Sequence, residues 1–494
     1  MNLPLIDRAE QNPNKIAIVA TEGTFTYEDL LQTSAQIATK LLENQDDLQE
    51  QRVAFLIPSG FQYVATQWGI WRAGGIAVPL CISHPKPELD YVIADSDASI
   101  IIAHPSFEAL LRPIAEERNI RFILTSETLR DDVSLLPKIE ITRRGLILYT
   151  SGTTGKPKGV VSTHQNIQAQ VTSLVSAWGW TADDRILHVL PLHHIHGIIN
   201  VLTCALWSGA ECHILPKFDA EIVSDRISKG DLTLFMAVPT IYVKLIAAWE
   251  NSDRDHQQRI SDGCAKMRLM VSGSAALPVQ VLKKWQTISG HFLLERYGMT
   301  EIGMALSNPL HGERLAGFVG KPLPQVEVRL VDESGELVTP GTPGEIQVKG
   351  STVFLEYWQK PEATIKAFRD GWFCTGDLAV LENENYRILG RISVDIIKTG
   401  GYKVSALEIE EVLRTHCDIQ DCAVVGVEDA EWGERVCAAL VLKSGTHLTL
   451  ETLRSWAKEQ LATYKVPSKI IAVEELPRNA MGKVTKPNVA KLFH

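Results

Sequence analysis

Cysteine is scarce in this chain, with eight residues among 494 and no Cys-x-x-Cys pair. That density excludes a disulfide scaffold and points to a reducing compartment. Long apolar runs are missing too. The longest stretch, Ile195–Trp207, is interrupted by Asn200 and is too short to cross a bilayer. The opening segment MNLPLIDRAEQNPNK has neither a charged region followed by an apolar one nor an Arg-rich presequence. The expectation is a cytoplasmic chain with no membrane partner. Positive charge is in deficit: Lys and Arg number 49 against 59 Asp and Glu, for a net charge of −10. This balance excludes bulk binding to nucleic acid or an anionic membrane, yet leaves room for a local basic pocket. None of the 34 glycines is spaced G-x-G, so the dinucleotide fingerprint is absent.

What is present is the composition of a folded globular chain: 45% hydrophobic and 22% charged residues. At about 100–200 residues per domain, the length points to two to four domains. The short apolar runs KIAIVA (Lys15–Ala20), RVAFLI (Arg52–Ile57), IAVPL from Ile76, SIIIA from Ser99 and RFILT from Arg121 alternate with helical spacing. Such alternation predicts βαβ units and a mostly parallel sheet. Leu323–Val348 instead alternates polar with apolar residues around a turn-rich centre, which predicts an antiparallel hairpin. After Gly390 come a helix candidate Ala406–Leu413, the strands DCAVVGV and VCAALVL, and a helix candidate Glu451–Leu461. This small α/β unit is long enough to fold alone. The fold class is therefore α/β, with a large domain over 1–392 and a small one over 393–494.

The most informative segment is a strand, Leu146–Tyr149, running into Thr150-Ser151-Gly152-Thr153-Thr154-Gly155-Lys156-Pro157-Lys158-Gly159. Hydroxyls and backbone N–H groups in such a loop can cradle phosphate oxygens, and its lysines neutralise their charge. It is not a Walker A loop, because Thr150 and Pro157 stand where that motif needs Gly and Ser or Thr.

TSGTTGKPKG resembles the phosphate loop of the adenylate-forming superfamily of acyl-CoA synthetases, adenylation domains and luciferases. Tyr297-Gly-Met-Thr-Glu301, Thr375-Gly-Asp377, Gly390-Arg391, Lys398-Thr-Gly-Gly-Tyr-Lys403 and Pro477-Arg-Asn-Ala-Met-Gly-Lys483 follow in the same order. The resemblance covers essentially the whole chain. It implies a large domain with a small β-barrel-like part, a mobile C-terminal domain, and the substrates ATP and coenzyme A with Mg2+. A carboxylate would attack the α-phosphate of ATP, and a thiol would then displace AMP. Thr150, Ser151, Gly152, Thr153, Thr154, Lys156 and Lys158 would hold phosphates, and Thr300 would donate to the α-phosphate. Glu301 supplies a hard oxygen for magnesium. Asp377 and Arg391 would bind the ribose. Gly273, Ser274 and Ala275 would line the adenine edge, with Tyr297 stacking on the ring. Lys483 would bridge the reacting carboxylate and phosphate. Gly400, Gly401 and Tyr402 resemble the thiol-tunnel loop, and Ser393 occupies the hinge position. Trp432-Gly433 follows the family pattern as a structural pair.

Pro191-Leu-His-His-Ile-His-Gly197, Met299–Asn308, His311-Gly-Glu-Arg314 and Gly317-Phe-Val-Gly320 narrow the resemblance to malonyl-CoA synthetases. The substrate implied is malonate. Arg314 would pair with its second carboxylate, for which a planar guanidinium is suited; the competing reading is a surface ion pair with Glu313. Ser272, His194 and Met304 are further acyl-pocket candidates. Metal binding by His193, His194 and His196 is disfavoured because no carboxylate or cysteine accompanies them at ligand spacing, and binding by Cys204, Cys212 and His213 because buried free cysteines usually serve as small apolar residues. The alternatives to malonate ligation are another short acid such as methylmalonate, transfer to a carrier thiol, or a silent nucleotide-binding regulator. The oligomeric expectation is a monomer or dimer.

Overall fold

The structure, a computed structural model, describes residues 3–43, 45–128, 134–150, 156–429, 431–479 and 482–493. The apolar runs form two large sheets rather than one. The first has seven strands in the order Glu356–Tyr357, Lys158–Thr163, Arg144–Thr150, Ile76–Pro79, Arg52–Leu56, Ile100–Ala103 and Arg121–Leu124. Its central strands are parallel and buried on both faces, which is why they read as unbroken apolar runs. The second sheet has nine strands. Its parallel part runs Leu294–Met299, Leu269–Ser272, Leu234–Ala237, Arg185–His188, Glu211–Ile214 and Ile16–Ala20. The strand Ile16–Ala20 therefore lies between Glu211–Ile214 and its sequence neighbour Gly23–Thr26, and not in the sheet of Arg52–Leu56.

Helix boundaries follow local chemistry. Helix His164–Trp178 starts at Thr163, whose hydroxyl accepts from Asn166 N while the Asn166 side chain accepts from Thr163 N. It stops at Gly179, which is left-handed at φ 60°. The apolar stretch Ile195–Trp207 becomes a π-helix, His196–Thr203, continued by an α-helix, Cys204–Ser208. Both are packed in the interior, and none of the described helices is long and apolar enough to cross a membrane.

The expected hairpin is present: Val326–Val331 pairs antiparallel with Gly344–Gly350. It belongs to a five-stranded antiparallel sheet with Trp372–Glu382, Phe368–Arg369 and Asn385–Arg391, the half-barrel of the large unit. The next strand, Ile396–Thr399, enters a different sheet with Tyr402–Ser405, Gly433–Leu442, Ile419–Asp429 and Lys469–Ala472. That sheet carries two apolar clusters of its own, which include Ile409, Leu413, Val424 and Leu453 on one face and Val425, Cys437 and Val489 on the other. The C-terminal unit thus has a separate core.

Candidate active site

The candidate residues converge where strands end. Thr150 closes Arg144–Thr150 and pairs with Lys158, so the two flanks of the phosphate-type loop are held together by the sheet. Ser151, Gly152, Thr153 and Thr154 lie outside the described residues. The flanks are fixed by aromatic faces: Lys156 Nζ sits 5.4 Å from the Tyr91 ring centre and Lys158 Nζ 4.9 Å from that of Tyr357. Gly273 follows Leu269–Ser272, and Thr300 and Glu301 form the turn after Leu294–Met299. Ligand sites in open α/β sheets lie beyond such carboxyl ends.

Glu301 is buried, and the Tyr357 hydroxyl donates to its Oε1 at 3.0 Å. Burial pushes its carboxyl upward, against the pull of backbone and Tyr357 hydrogen bonds. A buried carboxylate with spare lone pairs suits a hard cation. Asp377 is also buried and pushed upward by burial, while Arg391 and Tyr297 pull the other way. Its Oδ1 lies 3.0 Å from Arg391 Nε as an ion pair, and its Oδ2 accepts from the Tyr297 hydroxyl at 2.5 Å and from Arg391 Nη2 at 3.3 Å. The hydrogen bonds from protein therefore fall on Oδ2 and leave Oδ1 with acceptor capacity. This arrangement fixes Tyr297 by its hydroxyl as well as by its ring.

Lys483 reaches this cleft from the C-terminal unit. Burial, then Arg296 and Arg391, push its ammonium down to about 8, while Asp377 acts in the opposite sense. His194 lies near enough to feel Lys483; burial, then His193 and Lys483, hold its imidazole neutral, well below the ordinary range. Its ring centre is 4.1 Å from that of His193. His196 turns away and shares a hydrogen bond with Ser274 Oγ at 3.1 Å. The three histidines do not form a metal cluster, and Cys204 and Cys212 are buried thiols. The single grouping of metal-ligand type among the described residues is His416, Cys417 and Asp418, on the C-terminal unit.

Arg314 requires a correction. Its guanidinium donates to the carbonyls of Pro309, Leu310 and Phe292 at 2.9, 2.8 and 2.6 Å. Phe292 precedes the strand Leu294–Met299, whose far end carries the site. Phe292, Pro309 and Leu310 all lie at the end of that strand away from Tyr297, so Arg314 is bound at the opposite end from the Glu301 turn. It staples a loop, and it is neither in the cleft nor paired with Glu313.

Arg296, on the same strand, is the arginine the motifs did not single out. It is 4% exposed, and among the described residues no carboxylate pairs with it. Burial alone pushes it down to about 9. Its Nη2 donates to Ser274 Oγ at 3.3 Å. Among the described residues, Arg296 Nε and the nearby Ser272 Oγ and His196 Nε2 are buried without hydrogen-bond partners. Gly273 is required by this contact: a Cβ there would lie 2.6 Å from Arg296 Cζ. Ser274 itself is left-handed at φ 70°, a strained conformation for a non-glycine residue that aims its hydroxyl between Arg296 and His196. Ala275 is exposed at the rim, and Met304 is buried with Cε 2.5 Å from where a Cβ on Gly298 would sit. A charged pair, Glu295-Arg296, inside an apolar strand was the available sequence signal.

Gly400 and Gly401 form the turn between Ile396–Thr399 and Tyr402–Ser405, at φ 53° and 83°. They are exposed, as is Tyr402, whose ring stacks on Tyr464 at 4.3 Å. Trp432 covers Gly400, consistent with a structural role. Lys483 thus occupies the cleft while this loop is outside it. Ser393 is exposed in the turn between the units and lines a crevice of about 680 Å³ with Ile392, Lys398 and Glu434.

Residues 5–358 match the AMP-binding enzyme family and residues 408–483 the AMP-binding enzyme C-terminal domain. The chain belongs to the AMP-binding enzyme family, whose relatives here are AMP-forming CoA ligases. It is 47% identical to the mitochondrial malonate–CoA ligase ACSF3 of Xenopus laevis, over 100% of this chain and 92% of the relative. It is 40% identical to the malonate–CoA ligase of Arabidopsis thaliana, over 98% and 87%. Among solved structures, ATP-bound MatB from Rhodopseudomonas palustris superposes with a TM-score of 0.93 at 33% identity, covering 100% of this chain and 99% of that one. The apo form of the same protein gives 0.82 with the same coverage.

Proposed function

We propose that this enzyme is an ATP-dependent malonate–CoA ligase, making malonyl-CoA, AMP and diphosphate through a malonyl-adenylate. The observation that carries the reading is Arg296, a buried cation with no carboxylate partner, set among unpaired polar atoms on the strand that leads to the Glu301 turn. A buried lone charge is costly, and the far carboxylate of a short dicarboxylate would pair it. The similarity to malonate–CoA ligases along the whole chain supports the same substrate.

In the first step the near carboxylate oxygen of malonate bonds to the α-phosphorus, and the bond to the diphosphate oxygen breaks. Lys483 and Thr300 stabilise the developing charge, with Thr150, Lys156 and Lys158 neutralising the departing diphosphate. Glu301 would hold Mg2+, which when bound supplies Lewis-acid stabilisation of phosphate charge. Asp377 Oδ1 has acceptor capacity to spare for the ribose hydroxyls, and Arg391 beside it can donate to the same sugar. In the second step the thiol sulfur bonds to the acyl carbon, the carbon–oxygen bond to AMP breaks, and the thiol proton is lost. For this step residues 393–494 swing about Ser393, which carries Lys483 out and brings Gly400, Gly401 and Tyr402 in. His194, neutral beside the acyl pocket, and Met304 shape the acid's surroundings. The better superposition on ATP-bound than on apo MatB fits the first arrangement. Free cysteines suit the cytoplasm expected from the sequence, and equally the location printed in the name of the Xenopus relative.

The test is AMP release from purified enzyme with ATP, CoA and malonate, methylmalonate, succinate, acetate, propionate or octanoate. Malonate is expected to lead the series. Strong octanoate turnover beside inert malonate would overturn the assignment.

A further inference from the structure

The helix Val279–Ser289 begins immediately after the segment that carries Gly273 and Ser274, and its cap residue, Pro278, offers no side-chain acceptor. The first-turn N–H groups of a helix need outside partners. Val279 N finds one on the other unit: it donates to Glu411 Oε2 at 3.2 Å. Glu411 lies on helix Ala406–Leu413; burial pushes its carboxyl up, while the Val279 N–H at the positive end of the facing helix, and then Arg414, pull it down. Its neighbour Glu410 points inward and accepts from Val424 N and Lys486 within the C-terminal unit. The adjacent carboxylates therefore face opposite ways, one building the unit and one reaching across the cleft.

The surroundings favour this contact. Arg414 Nη1 lies 3.7 Å from Glu411 Oε1. Glu295 is buried on the facing strand with Oε1 unpartnered, and burial, then Glu411, push it up to about 8. Glu295 thus keeps its proton at neutral pH and does not repel Glu411. The unit that carries Glu411 also carries Lys483, whose neighbour Gly482 abuts Thr240 of the large unit. A swing that withdraws Lys483 must break the bond from Val279 to Glu411.

We propose that Glu411 is a positioning residue for adenylation, capping helix Val279–Ser289 across the cleft so that Lys483 is held at the reacting atoms and released for thioester formation. The inference rests on the ligase reading above. Its test compares Glu411→Ala with Glu411→Gln, which keeps an acceptor oxygen. Two half-reactions are measured separately: ATP–diphosphate exchange with the best acid of the panel, and thioester formation from supplied acyl-adenylate and CoA. A third measurement, with ATP alone, is energy transfer between dyes on the exposed Cys417 and on a Leu135→Cys variant, one on each unit.

For Glu411→Ala, exchange is expected to fall about tenfold, the scale of a lost charged hydrogen bond. Thioester formation should not slow, and the high-transfer population with ATP should shrink. Glu411→Gln should recover most of both losses. Equal losses in the two half-reactions, or unchanged exchange and unchanged dye transfer, would overturn the role. If the wild-type enzyme exchanges with no acid, the ligase reading fails, while the dye measurement still decides the role of Glu411.

Discussion

The unpaired guanidinium of Arg296 makes a prediction about pH that a generic anion site does not. Burial pushes Arg296 down to about 9, and burial with Arg296 and Arg391 pushes Lys483 down to about 8. Both are bases shifted below their ordinary values, so each loses its proton as pH rises through its own value. On the proposed mechanism Lys483 would serve every acid, because it would act at the reacting carboxylate, whereas Arg296 would serve only acids with a second carboxylate. The ratio of kcat/KM reports the free enzyme, so a monocarboxylate should show one alkaline bend near pH 8 and malonate a second near pH 9. With a value near 9, about one tenth of Arg296 is charged at pH 10. The malonate-to-acetate ratio of kcat/KM should therefore drop about tenfold between pH 7 and pH 10. Arg296→Met should remove the second bend and lower malonate kcat/KM by about 10²–10⁴, the scale of breaking a buried charge pair at 3–5 kcal/mol. The same substitution should raise the melting temperature at pH 7. The unfolded chain binds more protons than the native state only above about pH 9, so the penalty of the buried charge is present in full below that pH and lessens above it. A malonate-to-acetate ratio that stays constant from pH 7 to pH 10, or a Met variant that still prefers malonate, would refute the assignment.

Lys483→Ala should cut ATP–diphosphate exchange by about 10²–10³ and leave thioester formation from supplied malonyl-adenylate nearly intact, as measured in separate half-reaction assays. Arg314→Ala should leave the KM for malonate unchanged, and denaturant unfolding should show a loss of about 2–4 kcal/mol as three carbonyls lose a charged donor. Tyr357→Phe removes the donor to Glu301; a Mg2+ titration of initial rate should show the requirement rising about fivefold or more.

The architecture was legible wherever burial imposes a pattern. Strands such as Arg52–Leu56 and Ile100–Ala103 are covered on both faces and can be written only in apolar residues. The hairpin of Val326–Val331 and Gly344–Gly350 showed by its alternation. Sheet membership was not legible, because periodicity describes a strand's faces and not its neighbour; Ile16–Ala20 pairs with residues far along the chain. Thr300, Glu301, Asp377, Arg391 and Lys483, far apart in the chain, were singled out by motifs that resemble those of the adenylate-forming family and not by periodicity. The acid pocket was less legible. Arg314 and Arg296 lie 18 positions apart, and only the fold decides which guanidinium meets three carbonyls and which, among the described residues, is left without a carboxylate. Strand parity carries part of the answer, since Glu295 and Arg296 must face opposite sides. One points toward Glu411 of the C-terminal unit and the other toward Ser274.

A chain of net charge −10 has gathered Arg296, Arg391 and Lys483 within electrostatic reach of one another, with Asp377 as the carboxylate that opposes them at Lys483. Cations this close repel, and the downward push on Lys483 measures that repulsion together with burial. The arrangement with Lys483 in the cleft is therefore incomplete without anions, and ATP and a dicarboxylate supply them. When diphosphate leaves, several negative charges leave with it, and the repulsion that they had neutralised acts between the two units. Lys483 is the cation carried by the C-terminal unit, so the repulsion is relieved by withdrawing it. On the proposed mechanism, the charges that would hold the substrates for the first step would also favour opening before the second, which would link the order of the half-reactions to the electrostatics of one cleft.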